Sequence, residues 1–188
     1  MQSLQTRYVK KEIKYDGSQL CSHYIYDQYN LMGDAMLVFV GPCDVALQDM
    51  VDLQDVKLDS PIYSKSMLHF IIEHFGVSLE NLVLRQRLLM AIIQQELLKK
   101  VPQKKILRWG DDLYENDSKL SVSIATLSPI SGLIHAGVNV ISKGTPVKTK
   151  GLGDYEVNPE ELGRRVMEEY KEELKSIYLA TCKVRAVS

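Results

Sequence analysis

The residues best suited to chemistry lie in one stretch, residues 108–140, which reads RWGDDLYENDSKLSVSIATLSPISGLIHAGVNV. Two adjacent carboxylates, Asp111 and Asp112, are followed by a lysine, Lys119. A lysine at the edge of a pocket suits an anionic ligand or a negative charge that develops during a reaction. Adjacent carboxylates can hold magnesium or accept the hydroxyl and amine protons of a ligand. The stretch therefore predicts a ligand site at Lys119, with a plain polar turn as the alternative interpretation of the two aspartates.

Two predicted strands supply the other polar side chains of this site. Because successive side chains on a strand point to opposite faces, parity assigns each residue to a face. We expect one face to carry the small or polar odd-numbered residues, which are Lys119, Ser121, Ser123 and Ala125 on one strand and Leu133, His135, Gly137 and Asn139 on the next. If the strands are neighbours, these faces join into a platform, and Gly137 leaves room for a ligand near the backbone. A sheet with one solvated face is the alternative.

The elements before this stretch are predicted from local patterns. The apolar run at 35–40, which is closed by Gly41-Pro42, indicates a buried strand. The tyrosine-rich run at 23–30 favours a strand, and residues 47–58 are predicted to form a loop with a short strand at most. Ser60-Pro61 is typical of a helix start, so a helix is predicted to follow it and to end at Gly76.

Further helices and strands complete the prediction. Helical spacing after Ser78 predicts a long helix over 79–100, strands are expected over 105–141, and Asn158-Pro159 begins a last helix. This order indicates an α+β fold, a largely antiparallel sheet with helices packed on one face. His69, Glu73 and His74 fall on the helix predicted before Gly76, where their spacing favours the helix interior or an interface over a metal site.

Composition limits the classes of function. The chain has 188 residues, of which 45% are hydrophobic, and we expect one domain over residues 1–188. A formal net charge of -1 provides no general attraction to nucleic acid or to a membrane. Three cysteines and the lack of an apolar signal segment indicate a reducing, cytoplasmic location.

The same stretch resembles the central motif of biotin protein ligases, in which a lysine-led strand is followed by a strand ending in Gly-Ile-Asn-Val. The matching residues are Trp109, Asp112, Leu113, Tyr114, Asp117, Lys119, Leu120, Gly137, Asn139 and Val140. The stretch is also similar to lipoyl(octanoyl) transferases at Lys119, His135, Asn139 and Val140. The whole chain resembles an uncharacterised prokaryotic family grouped with the biotin/lipoate ligase, or class II synthetase-like, superfamily.

The resemblance implies a biotin/lipoate ligase-like fold and an enzyme that binds a small carboxylate or activated acyl group through acyl-adenylate chemistry. Lys119 would be catalytic, ATP and magnesium would be cofactors, and a homodimer is an expectation from fold analogy. The two aspartates would contact the ligand and would also hold the metal. The platform would supply further ligand contacts, and so would an early segment that matches a pocket-lining motif of the ligases. These ligand-binding residues are Asp111, Asp112, Ser121, Ser123, His135, Gly137, Asn139, Ser18 and Gln19.

The chain also departs from both families. It lacks the Gly/Arg-rich loop that closes over the adenylate in the ligases, and it lacks the Cys-Gly that supplies the nucleophile in the transferases. Three alternatives therefore stay open. They are an ATP-independent acyltransferase that uses Cys43, a non-catalytic ligand-binding module of the same fold, and a structural protein without a ligand at Lys119.

Overall fold

Eight strands form two sheets in the computed structural model, which describes residues 3–59 and 61–187. In chain order they are β1 Gln5–Val9, β2 Ala35–Val45, β3 Ile62–Phe75, β4 Ile106–Trp109, β5 Asp112–Glu115, β6 Ser118–Lys119, β7 Ser121–Leu127 and β8 Ser131–Asn139. The larger sheet has the order β1-β2-β3-β8-β7, and the smaller has the order β4-β5-β6. Only the β1–β2 pair is parallel among these strands, so the predicted largely antiparallel sheet is confirmed.

The helices are α1 Tyr24–Tyr29, α2 Leu53–Lys57, α3 Leu79–Lys100 and α4 Pro159–Cys182, with short 3-10 turns at Leu47–Asp49 and Leu152–Tyr155. The two long helices, α3 and α4, pack against one face of the larger sheet, where Val38 and Phe70 of the sheet meet Leu89 and Val166 of the helices. Residues 47–58 and α1 lie on the other face. No helix within the described residues is long and apolar enough to cross a bilayer.

Both long helices begin where the sequence predicts. The Ser78 side chain accepts the backbone N–H of Asn81 at the start of α3, and the Asn158 side chain accepts that of Glu161 at the start of α4. Pro159 occupies the first turn of α4, where its missing N–H costs nothing. Each cap stabilises its helix by about 1 kcal/mol. These caps fix where α3 and α4 begin, and their apolar side chains pack them on the sheet.

The helix predicted before Gly76 is wrong, because residues 62–75 form the strand β3. The strand is central, paired to β2 on one side and β8 on the other. Residues 67–74 are buried on both faces, which removes the alternation that normally distinguishes a strand from a helix. Ser60, the residue predicted to cap this helix, lies outside the described residues. His69 and Glu73 therefore share one face of a strand, and His74 points to the other, where it meets Tyr170 of α4.

The strand predicted in the tyrosine-rich run is also wrong, because Tyr24–Tyr29 forms α1. The reason is a long-range contact. The buried Glu73 carboxylate of β3 accepts the backbone N–H of His23, at 2.9 and 3.1 Å from its two oxygens. This contact holds the residue before α1 in place, and tertiary contacts of this kind override the weak β preference of tyrosine.

Candidate functional site

The site begins at a break in the strand that the sequence predicted to start at Lys119. Lys119 ends β6 in the smaller sheet, whereas Ser121 begins β7 in the larger one. Leu120, between them, donates its N–H to Leu113 and accepts the N–H of Asn139, and its side chain enters the core beneath α3 and α4. Because the chain changes sheets here, parity counted from Lys119 does not continue into β7.

The predicted platform is consequently wrong for β7. Ser121, Ser123 and Ala125 stand opposite Val138, Ala136 and Ile134 of β8, which face the helices. The face of β7 that points away from α3 and α4, which we call the open face, instead carries two apolar residues. Val122 stands opposite Gly137, and Ile124 stands opposite His135. The β8 half of the platform therefore lies on the open face, but the two serines lie on the covered one.

Both serines hold the aspartate turn in place. Ser121 Oγ accepts the N–H of Leu113 at 2.8 Å and donates to Asp112 at 3.1 Å. Ser123 Oγ donates to the Asp111 carbonyl and accepts from Gln86 of α3, each at 2.8 Å. Both residues still reach the rim of a cavity, so contact with a ligand stays a prediction for them.

Lys119 and Asp112 form the central ion pair of the site, with Nζ 2.7 Å from a carboxylate oxygen. Burial raises the pKa of Asp112 above its ordinary value, and the nearby Lys119 ammonium offsets only part of this effect. Burial lowers the pKa of Lys119, but the Asp112 carboxylate outweighs burial and leaves that pKa above its ordinary value. The lysine therefore stays cationic at neutral pH, and 29% of its side chain is exposed to meet a ligand.

The aspartates fit a metal ion poorly. Asp111 lies 3.1 Å from the Arg87 guanidinium, and Asp112 is held by Lys119, so both carboxylates already have cationic partners. Among residues 3–59 and 61–187, no group of three or more His, Cys, Asp or Glu side chains is arranged to hold a metal. A magnesium ion here would have to displace both cations, and we derive no step through it.

Two cavities meet at Lys119 on the open face of the larger sheet. The smaller, about 210 Å³, lies between β7, β8 and residues 47–58, and the larger, about 400 Å³, lies beside residues 145–149. Asp55, Ile62, Lys119 and Val122 belong to the walls of both. We call this pair of cavities the Lys119 cleft. Residues as far apart in the sequence as Asp52 and Val147 therefore line one cleft around Lys119.

Acidic side chains outnumber cationic ones in the described lining of the cleft. The described lining of the smaller cavity contains a single cationic side chain, Lys119, and five carboxylates, which are Asp49, Asp52, Asp55, Asp111 and Asp112. The described lining of the larger cavity also has Lys119 as its single cation. A triphosphate normally requires several cations or backbone donors. The residues present therefore fit ATP poorly, in agreement with the missing Gly/Arg-rich loop.

His135 forms part of the cavity wall as the end of a buried pair. Its Nε2 lies 3.1 Å from His69 Nδ1, and the other nitrogen of His69 lies 3.1 Å from the Gly41 carbonyl. The Tyr15 ring stacks on His135 with centroids 3.8 Å apart. The sequence predicts a helix over β3, which separates His69 from His135, and it does not single out Tyr15. Once residues 62–75 are read as a strand, register places His69 opposite Gly137 and next to His135.

The other predicted ligand contacts have mixed outcomes. Asn139 lines the larger cavity, and its amide lies 3.5 Å from the Lys119 carbonyl. The space beside Gly137 is not open to a ligand, because an added Cβ would lie 2.8 Å from Met67 Cε. Ser18 and Gln19 bond to the backbone or side chains of their own turn at 14–19, and neither lines the Lys119 cleft.

Cys43 is a poor candidate for a nucleophile. The residue is fully buried in the core on the open-face side of the sheet. Burial raises the pKa of its thiol to about 12, so almost no thiolate exists at neutral pH. This geometry weighs against the acyltransferase alternative that depends on it.

Known proteins match this chain over most of its length. A model of the family described as "Domain of unknown function (DUF366)" matches residues 4–185. An uncharacterized protein of Methanocaldococcus jannaschii is 36% identical over 177 residues, which cover 90% of this chain and 79% of that protein. A solved structure of a protein of unknown function from Pyrococcus horikoshi is also 36% identical. It superposes with a TM-score of 0.92 over 99% of this chain and 100% of that chain.

More distant structures share the fold. Biotin protein ligase from Aquifex aeolicus in complex with biotin and ATP superposes with a TM-score of 0.61 at 17% identity, over 91% of this chain and 70% of the ligase. The biotin/lipoate ligase-like fold that the resemblance implies is therefore confirmed. At this level of identity the likeness concerns the fold alone.

Proposed function

We propose that this chain, which belongs to the DUF366 family, binds a small carboxylic acid or its activated acyl form in the Lys119 cleft. The observation that carries the proposal is the position of Lys119. Its ammonium is partly exposed where the two cavities meet, in a fold shared with a ligase that binds biotin and ATP. A fixed cation in a partly buried cleft stabilises a carboxylate more strongly than it would in water.

The residues around the lysine have separate roles in this proposal. Lys119 neutralises the acyl or phosphoryl oxygens of the ligand, and Asp112 orients the lysine. Ser121 and Ser123 anchor the turn that carries Asp111 and Asp112. Asn139 contributes its amide to the wall of the larger cavity. The proposal therefore keeps these six residues and omits Gly137, Ser18 and Gln19.

Two candidate activities follow from binding. The first is acyl-adenylate chemistry, which the resemblance implies but for which the described lining of the cleft supplies one cation only. The second is ligand binding without ATP turnover, and the five aspartates around a single lysine favour it. A homodimer and a cytoplasmic location stay predictions.

A ligand screen tests the proposal. Native mass spectrometry and thermal shift are run with biotin, lipoate, octanoate, amino acids and ATP. A ligand at a hundred times its dissociation constant should stabilise the protein by about 2.7 kcal/mol, which gives a clear melting shift. Lys119→Met should abolish binding, whereas Lys10→Met, at an exposed lysine outside the cleft, should not. Unchanged binding by Lys119→Met would contradict the assignment. Pyrophosphate release then separates the two activities.

A further inference from the structure

The hydrogen bond between His69 and Gly41 fixes the position of a proton. A backbone carbonyl only accepts hydrogen bonds, so His69 Nε2, at 3.1 Å from the Gly41 oxygen, must carry a proton. The β-bulge between Gly41 and Cys43 interrupts the β2–β3 ladder at this carbonyl. An added Cβ at Gly41 would lie 1.9 Å from the Ile13 carbonyl oxygen, so glycine is required at this close approach.

Both imidazoles are neutral at physiological pH. Burial lowers the pKa of His69 to about 4, although its bond to the Gly41 carbonyl opposes this effect. Burial also lowers the pKa of His135 well below its ordinary value, and His69 lowers it further. The His69 and His135 rings have no carboxylate partner among the described residues, so no nearby anion restores a proton.

Because both rings are neutral, the proton on His69 Nε2 also determines which nitrogen of His135 is protonated. Neutral His69 has its one proton on Nε2, so its Nδ1 is an acceptor. His135 Nε2, at 3.1 Å from that atom, must therefore donate. Because His135 is also neutral, its remaining nitrogen, Nδ1, carries a lone pair and no proton. The Gly41 carbonyl thus sets the tautomer of a histidine two hydrogen bonds away.

The remaining nitrogen of the pair, His135 Nδ1, belongs to a side chain that lines the Lys119 cleft. His135 Nδ1 has no hydrogen-bond partner within residues 3–59 and 61–187. The His135 side chain lines the smaller cavity although the residue is only 2% exposed. A buried acceptor without a partner is unfavourable, so a donor from a ligand would be favoured here.

The charge of the same cavity favours a donor as well. Asp49, Asp52 and Asp55 line it in addition to the two paired aspartates. Such a lining attracts an amine or hydroxyl group and repels a second anionic group. Lys119 therefore suits the carboxylate end of a ligand, and the His135 side of the cavity suits an end that donates hydrogen bonds.

We propose that the ligand carries, at the end remote from its carboxylate, an N–H or O–H group that His135 Nδ1 accepts, and that His69 is the positioning residue that keeps this nitrogen unprotonated. The inference rests on the proposed function, because it assumes that the carboxylate end binds at Lys119. It narrows the substrate class from small acids in general to amino, hydroxy or amide-bearing acids.

The tautomer is tested directly by nitrogen-detected NMR of the imidazoles in the free protein at neutral pH. The chain has only four histidines, so assignment by single substitution is practical. The expected result is a neutral His135 with its proton on Nε2 and a neutral His69 with the same tautomer. A proton on His135 Nδ1, whether in the other tautomer or in an imidazolium, would overturn the inference. His69→Phe should release the constraint and mix the His135 tautomers, a change that loss of packing alone does not produce.

The ligand class is tested by comparing ω-hydroxy and ω-amino acids with unsubstituted fatty acids of the same chain length. The wild-type protein should bind the donor-bearing acids about tenfold more tightly. His135→Phe, which keeps a flat ring beneath Tyr15, should lose the preference, so that it binds the donor-bearing and the unsubstituted acids with equal affinity. Equal or tighter binding of the unsubstituted acids by the wild type overturns this inference and leaves the proposed function standing. Failure of all the acids to bind overturns both.

Discussion

Replacing Asp112 with asparagine should increase affinity for a carboxylate ligand. In the free protein Asp112 and Lys119 are an ion pair, so a ligand carboxylate must share the lysine with Asp112. The amide of Asp112→Asn keeps nearly the same shape and can still accept from Ser121, but it removes the competing negative charge. The perturbation therefore tests whether Lys119 is the group that recognises the acid.

The expected magnitude comes from the observed geometry. Lys119 Nζ lies 2.7 Å from Asp112, and a ligand carboxylate at a similar distance on the far side would lie about 5 Å from that aspartate. Two like charges at this separation repel by about 3 kcal/mol at an effective dielectric constant near 20. Partial exposure of the lysine reduces this to about 1–2 kcal/mol. Asp112→Asn should therefore bind the acid about tenfold more tightly.

The assay is calorimetric titration with lipoate, octanoate and ω-hydroxy acids at low and high salt. Asp44→Asn is the matched control, because Asp44 also pairs with a lysine, Lys14, but does not line the Lys119 cleft. The gain should be smaller at high salt and should be absent from the control. Weaker or unchanged binding by Asp112→Asn would refute the claim that the two carboxylates compete for one lysine.

The remaining predictions concern stability and reactivity. Because burial lowers the pKa of His69 to about 4 and lowers that of His135 as well, the unfolded chain takes up protons first as pH falls. The free energy of unfolding should be largest above about pH 6.5. It should fall with pH below that value, and the His69 contribution, about 1.4 kcal/mol per pH unit, should continue down to about pH 4. Urea unfolding checks this, and a flat profile would contradict neutral histidines. In the folded protein Cys43 should resist iodoacetamide while the two exposed cysteines react, which mass spectrometry measures. Rapid labelling of Cys43 would instead support the acyltransferase alternative. Gly41→Ala should destabilise the fold by about 3 kcal/mol through its clash with Ile13, and wild-type stability in urea would disprove that close approach.

The sequence predicted the scaffold where local signals and tertiary structure agree. The capped helices at Ser78 and Asn158 and the strands of residues 105–141 form as expected. It failed at β3, where burial on both faces hides the strand period. It failed at α1, where Glu73, fifty positions along the chain, holds the residue before the helix. Neither cause is visible in a local window of residues.

For the candidate site, the sequence singled out Lys119, Asp112 and His135, which line one cavity, but it did not predict their arrangement. The chain changes sheets at Leu120, so the even-numbered residues of β7, rather than the odd-numbered ones, lie on the same face as Lys119. A leucine at this position gives no sign of the change. The His69–His135 pair was not predicted, because His69 becomes a neighbour of His135 only through the pairing of β3 with β8. Long-range register, rather than residue type, decides which groups share a cavity.

The most direct test of the account is a crystal structure of the protein with the tightest-binding acid from the screen. The account predicts the ligand carboxylate about 3 Å from Lys119 Nζ and a ligand N–H or O–H group at a similar distance from His135 Nδ1. A ligand bound outside the Lys119 cleft, or bound within it with its carboxylate turned away from Lys119, would contradict the account.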